Sequence, residues 1–292
     1  MNELAGAVER VWPGKDARVE VLGGGITNHN FRVEVDGETY VLRVAGKDTN
    51  LLGIDRTVEL EATRAAAAVG IGPEVVDFVE PEGWLVTRFI DGTTPPVERM
   101  REPDMLARVA AALRAFHDGP LIPGTFDSFR VVEAYRDTSL ARGGTVPAEY
   151  DWAHEHAARI EALRGGAAPK PCHNDLLNAN FLDDGKRLRI VDWEYAGMGD
   201  PFFDLANFSI NHELDDSGRS MFLEAYFDGA RPEHTRALEL MRFMSDFREA
   251  MWGVVQTAVS ELDFDFAGYA SEHFDRLERT AAEPSFQAAL AS

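Results

Sequence analysis

The chain has 292 residues, a length that suits two packed lobes or one large α/β domain. With 45% hydrophobic and 27% charged residues it can bury a substantial core, which excludes a wholly disordered protein. Acidic residues outnumber basic ones by 50 to 29, for a net charge of -21, and no basic tract offsets the excess. We therefore expect no sequence-independent binding to nucleic acid, and an acidic field that attracts metal ions or positively charged small molecules.

The cysteine count and the hydropathy pattern indicate the cellular compartment in which the protein is expected. A single cysteine, Cys172, excludes an intramolecular disulfide and any zinc site built on several thiolates. The N-terminal segment lacks the apolar stretch of a signal peptide, and no run of about 18 apolar residues occurs. The sequence therefore predicts a soluble, cytoplasmic protein with no membrane partner.

The first ninety residues predict a small β-rich lobe. Within residues 19–44, two β-rich runs flank Gly23–Gly25, and the tight-turn pair Asp36–Gly37 precedes a third run, which indicates three antiparallel strands. A helix and two further strands are predicted at residues 56–69, 74–79 and 84–90. The breaker-rich stretch 91–96 then ends regular structure, so we predict an N-terminal lobe at 1–91 and a C-terminal lobe at 92–292.

Beyond this break the pattern is mostly helical. Apolar residues at three- and four-residue spacing from Met105 to Phe116 predict one helix. Further helical patterns lie around residues 127–140, 148–163, 203–213, 219–227, 233–260 and 266–290. Residues 172–192 are the exception, because two short β runs joined by Asp184–Gly185 predict a hairpin there. The expected fold class is therefore α+β, with a small β-rich lobe followed by a larger helical lobe.

The strongest chemical signal lies between His173 and Asp192. The segment HNDLLNAN, which begins at His173, fits the H-x-D-L-x-x-x-N catalytic loop of phosphotransferases. In that pattern Asp175 accepts or orients the proton of the attacking hydroxyl, while the Asn180 oxygen and the Asp192 carboxylate are Mg²⁺ ligands. A loop Asp or Asn is more often a turn former or a helix cap, but the order and spacing agree with the catalytic pattern. We interpret His173 as a structural residue.

The β-rich lobe contains residues suited to a nucleotide. Its glycine run lets backbone amides approach phosphates, although a plain hairpin is equally compatible; the predicted contacts are Gly24, Gly25, Thr27 and Asn28. Arg43 stands where kinases carry a phosphate-pairing lysine, and Glu59 either pairs with it or is solvated. Thr87 and Phe89 precede the lobe boundary, where an extended hinge would offer backbone groups to an adenine edge.

Together these segments resemble the choline/ethanolamine kinase branch of the aminoglycoside-phosphotransferase superfamily, whose members have a protein-kinase-like two-lobe fold. The resemblance spans residues 20–275. It rests on the segments LGGGITNHNFRV, YVLRVAG, CHNDLLNANFL, IVDWEYAGMGDPFFDLANF and REAMWGVVQTAVSELDFDF. It implies transfer of the ATP γ-phosphoryl group to a small alcohol, with Asp175 as base and Asn180 and Asp192 as ligands of Mg²⁺. It further implies that Glu194 is an accessory metal carboxylate and that Asp204 braces the catalytic loop.

The acceptor pocket follows from the same resemblance. Trp252 and Tyr269 stand where choline kinases place the aromatic residues that surround a quaternary ammonium group. Available acidic neighbours are Glu194, Glu213, Glu249 and Glu261. The expected acceptor is choline, but Trp252 is equally compatible with a core position and Val255 stands where a further cage aromatic is expected. Ethanolamine, thiamine and aminoglycosides therefore remain alternative acceptors, and a nucleotide-binding pseudokinase remains a non-catalytic alternative.

Overall fold

A computed structural model describes residues 2–23, 28–166 and 168–291. Its N-terminal part is a five-stranded antiparallel sheet in the order β1-β2-β3-β5-β4 with two helices. The elements are α1 (Asn2–Val11), β1 (Ala17–Leu22), β2 (Asn28–Val35), β3 (Glu38–Ala45), α2 (Arg56–Ala68), β4 (Val75–Val79) and β5 (Trp84–Arg88). The three predicted strands, the helix and the two further strands are all confirmed.

The turn between β2 and β3 follows directly from its sequence. Asp36 and Gly37 both have positive φ, 52° and 82°, which is the backbone of a two-residue turn that matches strand twist. The turn sets the register that pairs Asn30 of β2 with Arg43 of β3. It therefore fixes which side chains of β3 point toward the rest of the molecule.

One face of the sheet is covered by α1, a helix that sequence analysis did not predict. Ala7 and Val8 of α1 are buried against Val33, Leu42 and Val86 of the sheet. Burial of this apolar face stabilises a helix that at ten residues is too short to be stable alone.

The C-terminal part is predominantly helical. Its helices are α3 (Val97–Met100), α4 (Pro103–His117), α5 (Ser128–Ala141), α6 (Glu149–Arg164), α7 (Pro201–Asn211), α8 (Asp216–Phe227), α9 (Pro232–Val259), α10 (Phe266–Ala282) and α11 (Pro284–Ala291). Residues 237–256 of α9 are all buried, because α5, α7 and α10 pack along this helix. The pattern at 266–290 forms two helices, since Pro284 has no N–H to continue α10 and begins α11 instead.

Four short strands shape the segment between α6 and α7. They are β6 (Lys170–Cys172), β7 (Phe181–Asp183), β8 (Leu188–Ile190) and β9 (Gly197–Gly199). The predicted hairpin is β7–β8, and β6 pairs with β9, so the segment 173–196 is tied together at both ends. Gly197 also allows β9 to pack closely against the backbone of Phe126, because a Cβ at this position would lie 2.9 Å from the Phe126 nitrogen.

The connection between β5 and α3 is hydrogen-bonded to this segment. Thr93 and Asp183 exchange two backbone hydrogen bonds, of 3.1 and 2.9 Å. The predicted lobe boundary after Asp91 falls just before this contact, between β5 and α3. Among the described residues, none of the helices is long and apolar enough to cross a membrane.

Candidate active site

The loop after β6 is held in place by one buried carboxylate. Asp204, near the start of α7, accepts hydrogen bonds from the backbone amides of His173 at 2.8 Å and Asn174 at 2.7 Å. His117 donates a third at 2.9 Å through Nε2. Asn174 has φ 67°, a left-handed conformation that these contacts compensate. Asp204 therefore occupies the bracing position that the sequence resemblance implied.

Asp175 and Asn180 lie beside each other at the two ends of the loop. Asn180 Nδ2 donates to the Asp175 backbone carbonyl at 2.8 Å and to its Oδ2 at 3.3 Å. Burial raises the pKa of Asp175 well above its ordinary value, against the opposing effect of Arg248. A carboxylate with a raised pKa is suited to accept a proton from a hydroxyl group.

His173 links the loop to Val191, the residue before Asp192. Its Nε2 donates to the carbonyl of Val191 at 3.0 Å, and its Nδ1 accepts from the Asp175 amide at 3.2 Å. Burial lowers the pKa of His173, which favours the neutral ring that this pair of bonds requires. The contacts agree with the structural interpretation of His173.

Asp192 lies two residues after the end of strand β8, and its backbone has a φ of 69°. Its Oδ1 lies 2.6 Å from Nη1 of Arg43, and the same nitrogen lies 2.9 Å from Oε1 of Glu59. The pair between Arg43 and Glu59 is therefore present, and the Glu59 side chain is 2% exposed rather than solvated. These contacts join the sheet, α2 and the strand-to-loop junction at one point.

The Glu194 side chain contacts two residues of the N-terminal part of the protein, Arg56 and Asn28. Arg56, at the start of α2, lies 3.2 Å from Glu194 and 2.6 Å from Glu59, while Asn28 Nδ2 donates to Glu194 at 2.8 Å. Arg56 also donates to Asn28 Oδ1 at 2.8 Å. Sequence analysis did not single out Arg56; its position three residues before Glu59 on one helix was the available signal.

A cleft of about 360 Å³ lies between the sheet and the segment 179–193. Predicted nucleotide and metal residues that line it are Arg43, Glu59, Thr87, Phe89, Asn180 and Asp192. Apolar side chains form other parts of its wall, including Val41, Leu85, Leu182 and Val191. The backbone amide of Phe89 donates to the Thr39 carbonyl at 3.1 Å, so this amide has a hydrogen-bond partner within the protein. Gly24, Gly25 and Thr27 lie outside the described residues.

The donor set at the cleft fits a magnesium ion. Asn180 supplies an amide oxygen and Asp192 a carboxylate, and both are hard ligands of the kind that Mg²⁺ binds. Asp192 is 22% exposed, whereas Glu194 is 3% exposed and already bound by Arg56. Asn180 and Asp192 both line the cleft and could hold a metal ion there, whereas Glu194 is not among the described residues that line it.

An aromatic and acidic cluster is formed by residues of α9, α10 and the segment after Asp192. Trp252 of α9 and Tyr269 of α10 have ring centroids 5.4 Å apart at an interplanar angle of 67°. Trp252 Nε1 donates to the Tyr195 hydroxyl at 2.8 Å, and the Tyr269 hydroxyl donates to Glu249 at 2.9 Å. The structure brings Trp252, Tyr269 and Glu249 together and adds Tyr195, which stands three residues after Asp192. We call Tyr195, Glu249, Trp252 and Tyr269 the acceptor cluster.

One sequence-based candidate, Glu213, lies elsewhere. Glu213, at the end of α7, is 73% exposed and pairs with Arg101 at 2.7 Å, so the structure places it at the surface and outside the acceptor cluster. Val255 is fully buried one turn after Trp252. Trp252 itself is 7% exposed and also packs against Phe266, so it belongs to the core as well as to the cluster.

Arg248 is an unpredicted member of the site. It is 1% exposed, lies 2.6 Å from Glu249 and 3.6 Å from Asp175 through Nη1, and its Cζ lies 4.3 Å from the Tyr195 ring centroid. Burial alone would raise the pKa of Glu249, but Arg248 is the main cause of a net lowering. The buried part of α9 also contains Glu239, Arg242, Asp246 and Glu249, so the sequence alone does not distinguish Arg248 from these other charged residues.

The phosphotransferase enzyme family profile (APH) matches residues 18–240. A choline/ethanolamine kinase family protein from Mesorhizobium loti is 32% identical, with a TM-score of 0.85 over 99% of this chain and 98% of that one. Human ethanolamine kinase 2 is 25% identical, covering 94% of this chain and 78% of that protein. Choline kinase LicA from Streptococcus pneumoniae, 22% identical, has the same fold with a TM-score of 0.79 over 96% and 98% of the two chains, and LicA has also been solved with AMP. The chain is therefore an ATP-dependent phosphotransferase and belongs to the choline/ethanolamine kinase branch of this family.

Proposed function

We propose that the chain transfers the γ-phosphoryl group of ATP, with Mg²⁺, to the hydroxyl group of a small cationic amino alcohol. One observation carries the proposal: the side-chain contacts of Asp175 connect the cleft to the acceptor cluster. Its side chain contacts Asn180 on the cleft side and Arg248, the partner of Glu249, on the other. A base in this position can take the proton of an acceptor hydroxyl that faces the nucleotide.

The cleft suits a nucleoside triphosphate bound with a metal ion. Apolar walls can enclose a flat base, and Arg43 can pair with phosphate oxygens through its guanidinium group. Mg²⁺ held by Asn180 and Asp192 would neutralise the phosphate charge as the phosphoryl group moves. The AMP complex of LicA, a protein of the same fold, supports an adenine nucleotide.

The acceptor cluster suits a cation. Trp252, Tyr195 and Tyr269 offer aromatic rings, and Glu249 and Asp175 are carboxylates within the same region. A quaternary ammonium group cannot donate hydrogen bonds and depends on such rings and on negative charge. Choline, the acceptor predicted from the sequence, and ethanolamine, named in several relatives, are the two candidates that this chemistry supports.

Release of ADP that depends on the added alcohol tests the proposal. Purified protein with ATP and Mg²⁺ is assayed with choline, ethanolamine, thiamine and an aminoglycoside, each at matched concentration. We expect turnover with choline or ethanolamine. Turnover with only thiamine or the aminoglycoside, or none above the rate without alcohol, would contradict the proposal.

We expect Trp252→Ala to raise the KM for choline about thirtyfold and to change the KM for ATP little. The reason is the loss of a desolvated cation–π contact, worth about 2 kcal/mol. Trp252→Phe keeps a smaller ring and should retain part of the affinity. Steady-state kinetics with each substrate varied in turn measures both constants.

Trp152→Ala is the matched control for this prediction. Trp152 packs against Phe243 in α9 but has no contact with the acceptor cluster among the described residues. The Trp152→Ala variant should have a lower melting temperature and an unchanged acceptor KM. An unchanged choline KM in folded Trp252→Ala protein would remove Trp252 from the binding site.

A further inference from the structure

A buried cation, Arg248, lies against two members of the acceptor cluster, Glu249 and Tyr195. The guanidinium group of Arg248 lies between the Asp175 carboxylate, 3.6 Å away, and one face of the Tyr195 ring, 4.3 Å from its centroid. The ammonium group of an amino alcohol has to bind near this guanidinium group if its hydroxyl is to reach Asp175, because only two carbons separate the hydroxyl from the nitrogen. Arg248 therefore covers an aromatic surface that a cationic acceptor would otherwise use.

The surrounding contacts hold Arg248 in this position. Glu249 accepts from Arg248 through Oε1 at 2.6 Å and from the Tyr269 hydroxyl through Oε2 at 2.9 Å, so each carboxylate oxygen is fixed. Both Arg248 and Glu249 are buried, at 1% and 2% exposure. The negative charge of Glu249 is consequently balanced by the protein before any acceptor arrives.

This arrangement affects different ammonium groups unequally. A trimethylammonium group has no N–H, so it needs open ring faces and uncompensated negative charge, and Arg248 reduces both. A primary ammonium group is smaller and can donate hydrogen bonds to the remaining lone pairs of Glu249 and Asp175 and to the Tyr195 hydroxyl. Each N-methyl group removes one such donor and adds bulk beside the guanidinium.

We propose that Arg248 determines the acceptor specificity of this site, excluding quaternary ammonium alcohols from the Tyr195 face and favouring primary ones. This proposal rests on the proposed function and refines it from cationic amino alcohols in general to ethanolamine-like acceptors. It also reverses the order of the two candidates, since the sequence-based choice was choline. Arg248 acts here by shaping the pocket, because Asp175 remains the residue that receives the proton.

The test compares kcat/KM for ethanolamine, N-methylethanolamine, N,N-dimethylethanolamine and choline. In the unmodified enzyme we expect a stepwise decrease along this series, at least tenfold from the first to the last. Arg248→Met removes the charge while keeping an unbranched side chain, and should shift the choline-to-ethanolamine ratio at least tenfold toward choline. Arg248→Lys keeps a cation and should keep the preference for ethanolamine. The ratio cancels any common loss of kcat that the altered surroundings of Asp175 cause.

Arg242→Met is the matched control. Arg242 lies on the same helix, is also buried, and pairs with Glu239 and Glu283 away from the acceptor cluster. In this variant the acceptor ratio should equal that of the unmodified enzyme, which separates specificity from the general loss of a buried ion pair. Melting curves identify which variants are folded.

The outcomes separate this proposal from the one on which it rests. A preference of the unmodified enzyme for choline overturns the role of Arg248, as does an unchanged ratio in folded Arg248→Met, while the proposed function survives. Phosphorylation of none of the four alcohols overturns the proposed function, and the role of Arg248 with it. Because the loss of a buried cation can unfold a protein, the series in the unmodified enzyme decides if Arg248→Met does not fold.

Discussion

Asp175→Asn is expected to lower kcat by about 10²–10⁴, the usual effect of losing a general base. The amide is isosteric with the carboxylate but cannot accept the hydroxyl proton. ATP binding should change little, because Asp175 is not among the described residues that line the nucleotide cleft. Stopped-flow or steady-state turnover, together with a titration of ATP by fluorescence, measures the two effects separately.

The pH dependence provides a second check on Asp175. Burial raises its pKa, and the residue must be ionised to act as base, so activity should rise as the pH increases through that raised pKa. The acidic limb should disappear from the residual activity of Asp175→Asn. A variant with near-normal kcat, or one that retains the same acidic limb, would show that another group takes the proton.

Asp192→Ala is expected to abolish Mg²⁺-dependent turnover. The change removes the carboxylate of the two proposed metal ligands and also one of the two carboxylate partners of Arg43, the other being Glu59. Without a bound metal ion the triphosphate charge is not neutralised in a chain of net charge -21. Turnover measured over a range of Mg²⁺ concentrations, beside the melting curve of each variant, tests this result.

Asn180→Ala is expected to have a smaller effect than Asp192→Ala. It removes a neutral ligand and leaves the carboxylate, so the Mg²⁺ concentration for half-maximal rate should rise while some turnover remains. The same Mg²⁺ dependence in both variants as in the unmodified enzyme would show that neither side chain binds the metal.

The catalytic loop was predictable because its chemistry requires particular residue types at a fixed local spacing. Asp175 and Asn180 are five residues apart, and the structure places their side chains in contact. The sheet was predictable for a related reason, since the Asp36–Gly37 turn and the strands beside it are local patterns. Local constraints of this kind can be read from one sequence.

The remaining parts of the site depend on contacts between distant residues. Arg56 meets Glu194 across 138 positions, and Trp252 meets Tyr195 across 57, separations that no local pattern encodes. The strands β6 and β9 are only three residues long and contain Pro and Gly, which disfavour strands on their own. These strands form because each pairs with the other, and Arg248 is recognisable as a site residue only once α9 is placed beside Asp175.

The polar contacts between the N-terminal part of the protein and residues 192–194 have a consequence for regulation. Arg43 with Asp192, Arg56 with Glu194, and Asn28 with Glu194 all cross from one part of the protein to the other. They are largely shielded from water, so salt screens them less than surface pairs. Protein kinases often need a phosphorylated activation loop to align the equivalent parts. In this chain the alignment is built into unmodified side chains, and we therefore expect the enzyme to be active as synthesised, with its output set by substrate supply.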